Sequence, residues 1–311
     1  MRDVFIKTLT DLTKKNNKII LVTADLGFGV LDNYIKKFPK NFINVGVAEQ
    51  NMIGVAVGLS KKGFNVFVYS LGNFPTLRCL EQIRNDAAYH SANVKIVNVG
   101  GGYSYGPLGF SHHATEDLSI VRSLPEVKIV SPFNSKETEE ATKFLSKAKG
   151  VFYLRLDKKR DVDIGLETKK TILKPKFKFG KFSTIIKGKE IIIFAIGGAV
   201  NEAIKACEIL KKKNLNPTLI SCHTLKPLDN DEIKRLCKLY KKIFVIEENS
   251  IFGGLGSAIS EVCMSNKIYC KVFKSLGIQN SFQKEVGDRN HLLKLSKLDY
   301  KSISQTILRS F

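Results

Sequence analysis

Asn44-Val45-Gly46-Val47-Ala48-Glu49-Gln50-Asn51-Met52-Ile53-Gly54-Val55-Ala56-Val57-Gly58-Leu59 sets one carboxylate, Glu49, where a short apolar strand over 42–45 turns into a helix of small and apolar residues. Burying a glutamate there is costly unless the acid is paired or protonated. Gly54 and Gly58, one turn apart, strip one helix face of side chains and open it to another backbone. An acid in this setting, just past a strand end, marks a candidate site.

Outward from this stretch the same alternation repeats. Apolar, β-rich runs fall at 18–23, 42–45, 64–69, 94–99, 127–130 and 151–155, with helical patterns over 48–62, 76–91, 115–124 and 135–147. Short buried strands alternating with helices predict a mainly parallel sheet covered on both faces. Residues 157–188 break the pattern with Lys, Asp, Pro and Gly and read as a connection. A second series follows: strands at 190–196, 217–221, 242–246 and 268–273, helices over 199–213, 229–240 and 254–265, and closing helices within 280–311. The expected fold class is therefore α/β, two three-layer α/β/α domains with mainly parallel sheets. The boundaries read 1–160 for the first domain, 161–188 for a linker and 189–311 for the second.

The chain has 311 residues, 43% hydrophobic and 25% charged, which suits two globular cores. No apolar run approaches the ~20 residues of a membrane span, and the start lacks a signal-peptide core. Six scattered cysteines without a C-x-x-C pair argue against a zinc site or a disulfide framework, and a cytoplasmic setting is expected. The net charge of +21 comes mostly from dispersed Lys pairs such as Lys36-Lys37 and Lys241-Lys242. It reads either as a solvated surface or as the mark of an anionic substrate or acidic subunit. No Arg-rich, aromatic-interleaved stripe points to nucleic acid.

The string Gly46-Val47-Ala48-Glu49-Gln50-Asn51-Met52 with Gly54, Ala56, Gly58 and Leu59 resembles the pyrimidine-binding segment of transketolase-type thiamine diphosphate enzymes. The resemblance implies that Glu49 is catalytic, bonding the aminopyrimidine of the cofactor. A carboxyl on that ring nitrogen favours the tautomer whose amino group acts as internal base; glutamine could bond there but not carry the proton. Thr23-Ala24-Asp25-Leu26-Gly27 is similar to another family segment, which puts Asp25 at the cofactor or a subunit interface, or leaves it an Asx cap on its turn. Tyr69-Ser70-Leu71-Gly72-Asn73-Phe74 stands where the family stacks an aromatic on the pyrimidine, so Phe74 is a cofactor-binding candidate, with a plain core role as the alternative. Arg78 resembles an arginine aimed at substrate in the deoxyxylulose-phosphate synthase branch, or is a solvated helix arginine.

Gly100 to Leu118 is the second such region. A glycine-rich loop after a strand lets backbone approach a ligand. It resembles the family's Gly-Glu-Asp-Gly-Pro-Thr-His-Gln, which makes His112 the active-site histidine, catalytic and substrate-binding, and places His113 at the glutamine as its helper or a cap. The match departs at Pro107-Leu108, where the family has Glu-Asp, and at Phe110, where it has Pro. Loss of the aspartate that holds a sugar hydroxyl argues against ordinary pentose phosphates, and Tyr103 and Tyr105 are candidates for other substrate contacts. Arg155 in Tyr153-Leu154-Arg155-Leu156 resembles a strand-end arginine that grips a substrate phosphate.

In the second half, Gly197-Gly198-Ala199-Val200 and Glu247-Glu248-Asn249 with Gly253-Gly254-Leu255-Gly256 resemble the family's C-terminal domain, whose main role is dimer packing; a glycine-opened helix could also cradle a phosphate. The resemblance covers the chain nearly end to end, yet it contains no Gly-Asp-Gly, the mark of the domain that binds the diphosphate and Mg²⁺. It implies that those ligands come from an N-terminal partner subunit, in an assembly of two copies of each chain. The activity implied is that of the C-terminal subunit of a split transketolase, moving a two-carbon ketol unit between anionic sugars. A decarboxylating relative, a deoxyxylulose-phosphate synthase or the beta chain of a 2-oxo-acid dehydrogenase, is the alternative, and a non-catalytic homologue is the other.

Overall fold

The computed structural model describes residues 1–158, 172–173 and 175–311, so residues 161–171 and 174 of the expected linker lie outside the described residues. The first sheet holds β1 (Ile19–Thr23), β2 (Phe42–Asn44), β3 (Asn65–Leu71), β4 (Val94–Val99), β5 (Lys128–Val130) and β6 (Phe152–Leu156). The second holds β7 (Ser183–Ile186), β8 (Ile191–Ala195), β9 (Pro217–Ser221), β11 (Lys242–Ser250) and β12 (Val272–Ile278). Between them in sequence, β10 (Thr224–Lys226) leaves the second half and pairs antiparallel with β5, giving the orders β10-β5-β6-β4-β3-β1-β2 and β12-β11-β8-β9-β7. Apart from β10 and the antiparallel β7 edge, the pairings are parallel, so both sheets are the mainly parallel kind that the alternation predicts.

Helices α1 (Arg2–Lys15), α2 (Asp32–Lys37), α3 (Glu49–Lys61), α4 (Leu80–Gln82), α5 (Asp117–Ser123) and α6 (Ser135–Leu145) accompany the first sheet. With the second run α7 (Ala199–Lys212), α8 (Asn230–Leu239), α9 (Leu255–Ser265), α10 (Arg289–Leu295) and α11 (Tyr300–Leu308). The strands feed two faces by strict alternation. In β1 and β3, Ile20, Val22, Val66 and Val68 enter one cluster, while Ile19, Leu21, Phe67 and Tyr69 enter another with Phe5 and Leu9 of α1 and Ala141 and Leu145 of α6. The first of these clusters continues without a break into Ile192, Phe194 and Ile196 of the second sheet. The two halves thus share apolar core.

Three local expectations shift. Residues 76–91 form not one helix but a 3-10 turn (Leu77–Cys79), the single turn α4 and a π-helical stretch (Ile83–Ala88). The strand expected over 268–273 lies at Val272–Ile278, where pairing with β11 sets it. Ser183–Ile186 forms an edge strand within the stretch read as connection.

Candidate active site

Glu49 opens α3 at the carboxyl end of β2, with its side chain 3% exposed in the first turn of the helix. The positive end of the helix dipole favours a carboxylate there. Its other neighbour is Arg78, whose Nη1 donates to Glu49 Oε2 at 2.8 Å. The guanidinium of Arg78 also lies over the ring of Phe74, 4.8 Å from its centroid, and Phe74 meets His112 edge to face at 5.2 Å. The tightened 3-10 turn at Leu77–Cys79 carries Arg78 to this position, as departures from α geometry do at many functional sites. Four of the sequence candidates therefore form one continuous group: Glu49, Arg78, Phe74 and His112.

The ends of β2, β3 and β4 deliver them. Asp25, at φ +53°, takes a bond from Asn44 Nδ2 at 3.1 Å and gives its own N–H to Asn44 Oδ1, which also accepts from Gly46 N. Asp25 thus fixes the turn that leads to Glu49 and touches none of the four through any described contact. His112 sits in a 3-10 turn of the loop after β4, with Ser111 Oγ 3.0 Å from Nδ1. Burial lowers its pKa below the ordinary 6.5, so the imidazole is mostly neutral at pH 7 and can accept a proton or a hydrogen bond.

His113 points elsewhere. It is 3% exposed, packs edge-on to Tyr103 at 5.1 Å, and its Nε2 has no hydrogen-bond partner among the described residues. Burial lowers its pKa as well. It lines a cavity of about 180 Å³ with Asn73, Phe110, Glu116 and Phe282. Asn73, which sequence reasoning missed, ties the two parts together by donating from Nδ2 to the carbonyl of His113 at 2.5 Å. Its place beside Phe74 was the only signal available. Tyr105 is also separate: Lys158 lies over its ring at 4.8 Å, and burial raises its pKa beside Arg2.

Arg155, expected at a substrate phosphate, has another occupation. It is 1% exposed; Nε donates to Asp117 Oδ2 at 2.8 Å, and Nη2 donates to the carbonyls of Ala114 and Glu248 at 2.8 and 2.9 Å. A phosphate would have to enter the interior and displace protein acceptors, so this arginine is a cross-link between the halves. The glycine-opened helices are likewise filled from within. Glu247 accepts from the N–H groups of Leu255 and Gly256 at the start of α9, both at 2.8 Å, and burial raises its pKa to about 7. A methyl group on Gly198 would fall 1.8 Å from Asp157 Oδ2. At both helix starts the nearby acid is a carboxyl group of the chain itself.

The close backbone approach expected at Gly54 and Gly58 is not made among the described residues. Both face outward with nothing near the position a side chain would take. In the loops after β1, β2 and β4, Phe28, Val47 and Phe110 are 78%, 76% and 67% exposed, and Leu108, where the resemblance leads one to expect an acid, is 56% exposed. Among the described residues, no three His, Cys, Asp or Glu side chains form a metal site, and no helix is long and apolar enough to cross a membrane.

Comparison with known proteins finds relatives along nearly the whole chain. Residues 1–160 match the transketolase pyrimidine binding domain, and residues 180–303 match the transketolase C-terminal domain. A Methanocaldococcus jannaschii protein with the provisional name transketolase C-terminal section is 37% identical over 99% of this chain and 95% of its own length. One of the subunits of an apulose-4-phosphate transketolase from Phocaeicola vulgatus is 32% identical over 87% of this chain and 86% of its own. Among solved structures, a split-gene transketolase described as an inactive beta4 tetramer superposes with a TM-score of 0.84 at 28% identity, over 99% of this chain and 97% of that one.

Proposed function

The chain belongs to the transketolase family, and we propose that it is the C-terminal subunit of a two-chain, thiamine diphosphate-dependent transketolase that moves a two-carbon ketol unit between anionic sugars. The observation that carries this reading is the single group formed by Glu49, Arg78, Phe74 and His112 at the carboxyl ends of parallel strands. A buried carboxyl group linked through Arg78 to an aromatic face offers the edge bond and the ring contact that an aminopyrimidine requires, so the residues fit that half of the cofactor. When bound, thiamine diphosphate supplies the carbanion chemistry of ketol transfer.

In this reading Glu49 holds a proton at the pyrimidine nitrogen, Phe74 supports the ring, and Asp25 braces the turn behind Glu49. His112, neutral near pH 7, accepts a proton or hydrogen bond from a substrate hydroxyl. Arg78, half exposed at the rim, faces the anionic part of the substrate. His113, Asn73 and Tyr105 shape the loops rather than touch the reacting atoms. The exposed Leu108 and Phe110 beside His112 favour sugars other than ordinary pentose phosphates, and the relative named for apulose 4-phosphate is consistent with such a shift.

The diphosphate and Mg²⁺ are assigned to an N-terminal partner subunit. Three observations support it: this sequence has no Gly-Asp-Gly, large apolar side chains are exposed in the loops after β1, β2 and β4, and a solved relative made of beta chains alone is described as inactive. The open Gly54/Gly58 face suits a second copy of this chain, completing two copies of each subunit. Free, mostly buried cysteines suit a cytoplasmic enzyme.

The test is co-expression with a partner chain that carries Gly-Asp-Gly, followed by turnover with thiamine diphosphate and Mg²⁺. Glu49→Gln is expected to lower kcat by about 10²–10⁴-fold. Undiminished turnover would remove Glu49 from the mechanism. An assembly that binds the cofactor but turns over no ketose donor would mark the chain as a non-catalytic homologue.

A further inference from the structure

Arg78 makes, within this chain, both of the contacts that an aminopyrimidine ring would need. Its guanidinium is planar and delocalised, carries several N–H donors along its edges and stacks readily on aromatic faces. One edge donates to Glu49 Oε2 at 2.8 Å while the group lies 4.8 Å over Phe74. A cofactor ring bonded to Glu49 and stacked on Phe74 would be likewise flat, edge-bonded to the same carboxylate and face-packed on the same phenyl. His112 packs on the same phenyl, ring centroids 5.2 Å apart. The guanidinium and the ring therefore call on the same carboxylate and the same phenyl.

Resting on the functional reading above, we infer that Arg78 is a positioning residue that acts as an internal stand-in for the pyrimidine ring, competing with it for Glu49 and Phe74. The pairing satisfies a carboxylate that is 3% exposed and would otherwise be buried without a cation. The cofactor ring must displace the guanidinium to enter. Once displaced, the side chain, half exposed at the rim, is released toward the side from which substrate arrives. The exchange keeps Glu49 partnered throughout and links loading of the ring to the freeing of a cation for an anionic sugar. Arg78 differs in this from Arg155, which is locked inside the fold by acceptors on both halves of the chain.

The experiment is thiamine diphosphate binding by calorimetry, in the assembly of this chain with its partner and Mg²⁺, without substrate. Arg78→Met keeps the stem on Phe74 but removes every donor. Removing a half-exposed ion pair and its cation–π contact is expected to tighten cofactor binding by about 5–30-fold. Arg78→Gln, planar and uncharged, should shift binding in the same direction. In a Glu49→Gln background the Arg78→Met effect should shrink, since the shared partner is gone. In the isolated full chain, Arg78→Met should lower Tm, and adding Glu49→Gln should restore it. Cofactor binding that is unchanged or weaker in both Arg78 variants, with Tm values showing that they fold, would overturn the inference. Failure of the unsubstituted assembly to bind thiamine diphosphate would instead overturn the functional reading.

Discussion

Gly72 sits at φ +58°, and a methyl group placed on it would lie 2.9 Å from the carbonyl oxygen of His112. The strand that delivers Phe74 and the loop that delivers His112 therefore pass each other at a point with no room for a side chain. A left-handed backbone and a contact with main chain, which cannot rotate away, act together there. Gly72→Ala is expected to cost about 1–3 kcal/mol in chemical denaturation and to raise the cofactor Kd by moving His112 off Phe74. Unchanged stability would show that the His112 loop retreats freely. The sequence presented Gly72 only as one of several glycines near a strand end. The carbonyl that makes it indispensable belongs to a residue far along the chain, and no local pattern encodes that distance.

Helix α6 shows the same limit for an element. Its start was legible: Asn134 caps it by accepting from Glu137 N at 2.8 Å, and its apolar residues fall at helical spacing. Unseen was the fate of Glu137, which turns into the interior, takes a bond from Phe133 N at 3.2 Å and meets Ser221 Oγ of β9 at 3.4 Å. Burial raises its pKa from the ordinary 4.5 to about 8. Between those values the folded chain keeps a proton that the unfolded chain has released. Stability from this group is thus complete below the lower value and falls as pH rises through the upper one. Glu137→Gln should narrow the difference in Tm between about pH 5 and about pH 9, mainly by raising Tm at the higher pH. An unchanged difference would mean that Glu137 ionises without cost.

For the whole molecule, the joint between the halves is built from charge as well as apolar core. Arg155 on β6 reaches Asp117 on α5 and the carbonyl of Glu248 on β11, while Glu248 in turn holds Arg289 Nε at 3.0 Å and Tyr103 N at 2.6 Å. Asp117, fully buried, also accepts from the hydroxyl of Tyr153 at 2.6 Å. Arg155→Met would leave Asp117 buried without its cation and is expected to cost about 3–5 kcal/mol of unfolding free energy. Lysine should not restore it, since one ammonium cannot reproduce the forked geometry. A loss below about 1 kcal/mol would show that solvent reaches Asp117 and repairs the gap. The strand β10, which crosses from one half to the sheet of the other, reinforces the joint. So short a strand, paired antiparallel with one that lies far away along the chain, leaves no periodic trace in sequence.

What the sequence by itself determined was whatever is written at short range. The alternation of strand and helix set two α/β layers, and the run from Asn44 to Leu59 set an acid at a helix start beyond a strand. Only the tertiary structure separated the two candidate arginines by their surroundings. Arg78 and Arg155 both belong to apolar surroundings in sequence and both suit an anion on paper, but one lies half exposed over Phe74 and the other is sealed between the halves. It also turned Glu247 onto the first N–H groups of the glycine-opened helix α9. The physical reason is the same in both cases. Residue type and spacing fix what a group can bond, whereas burial and the partners that distant segments bring to it fix what it does bond.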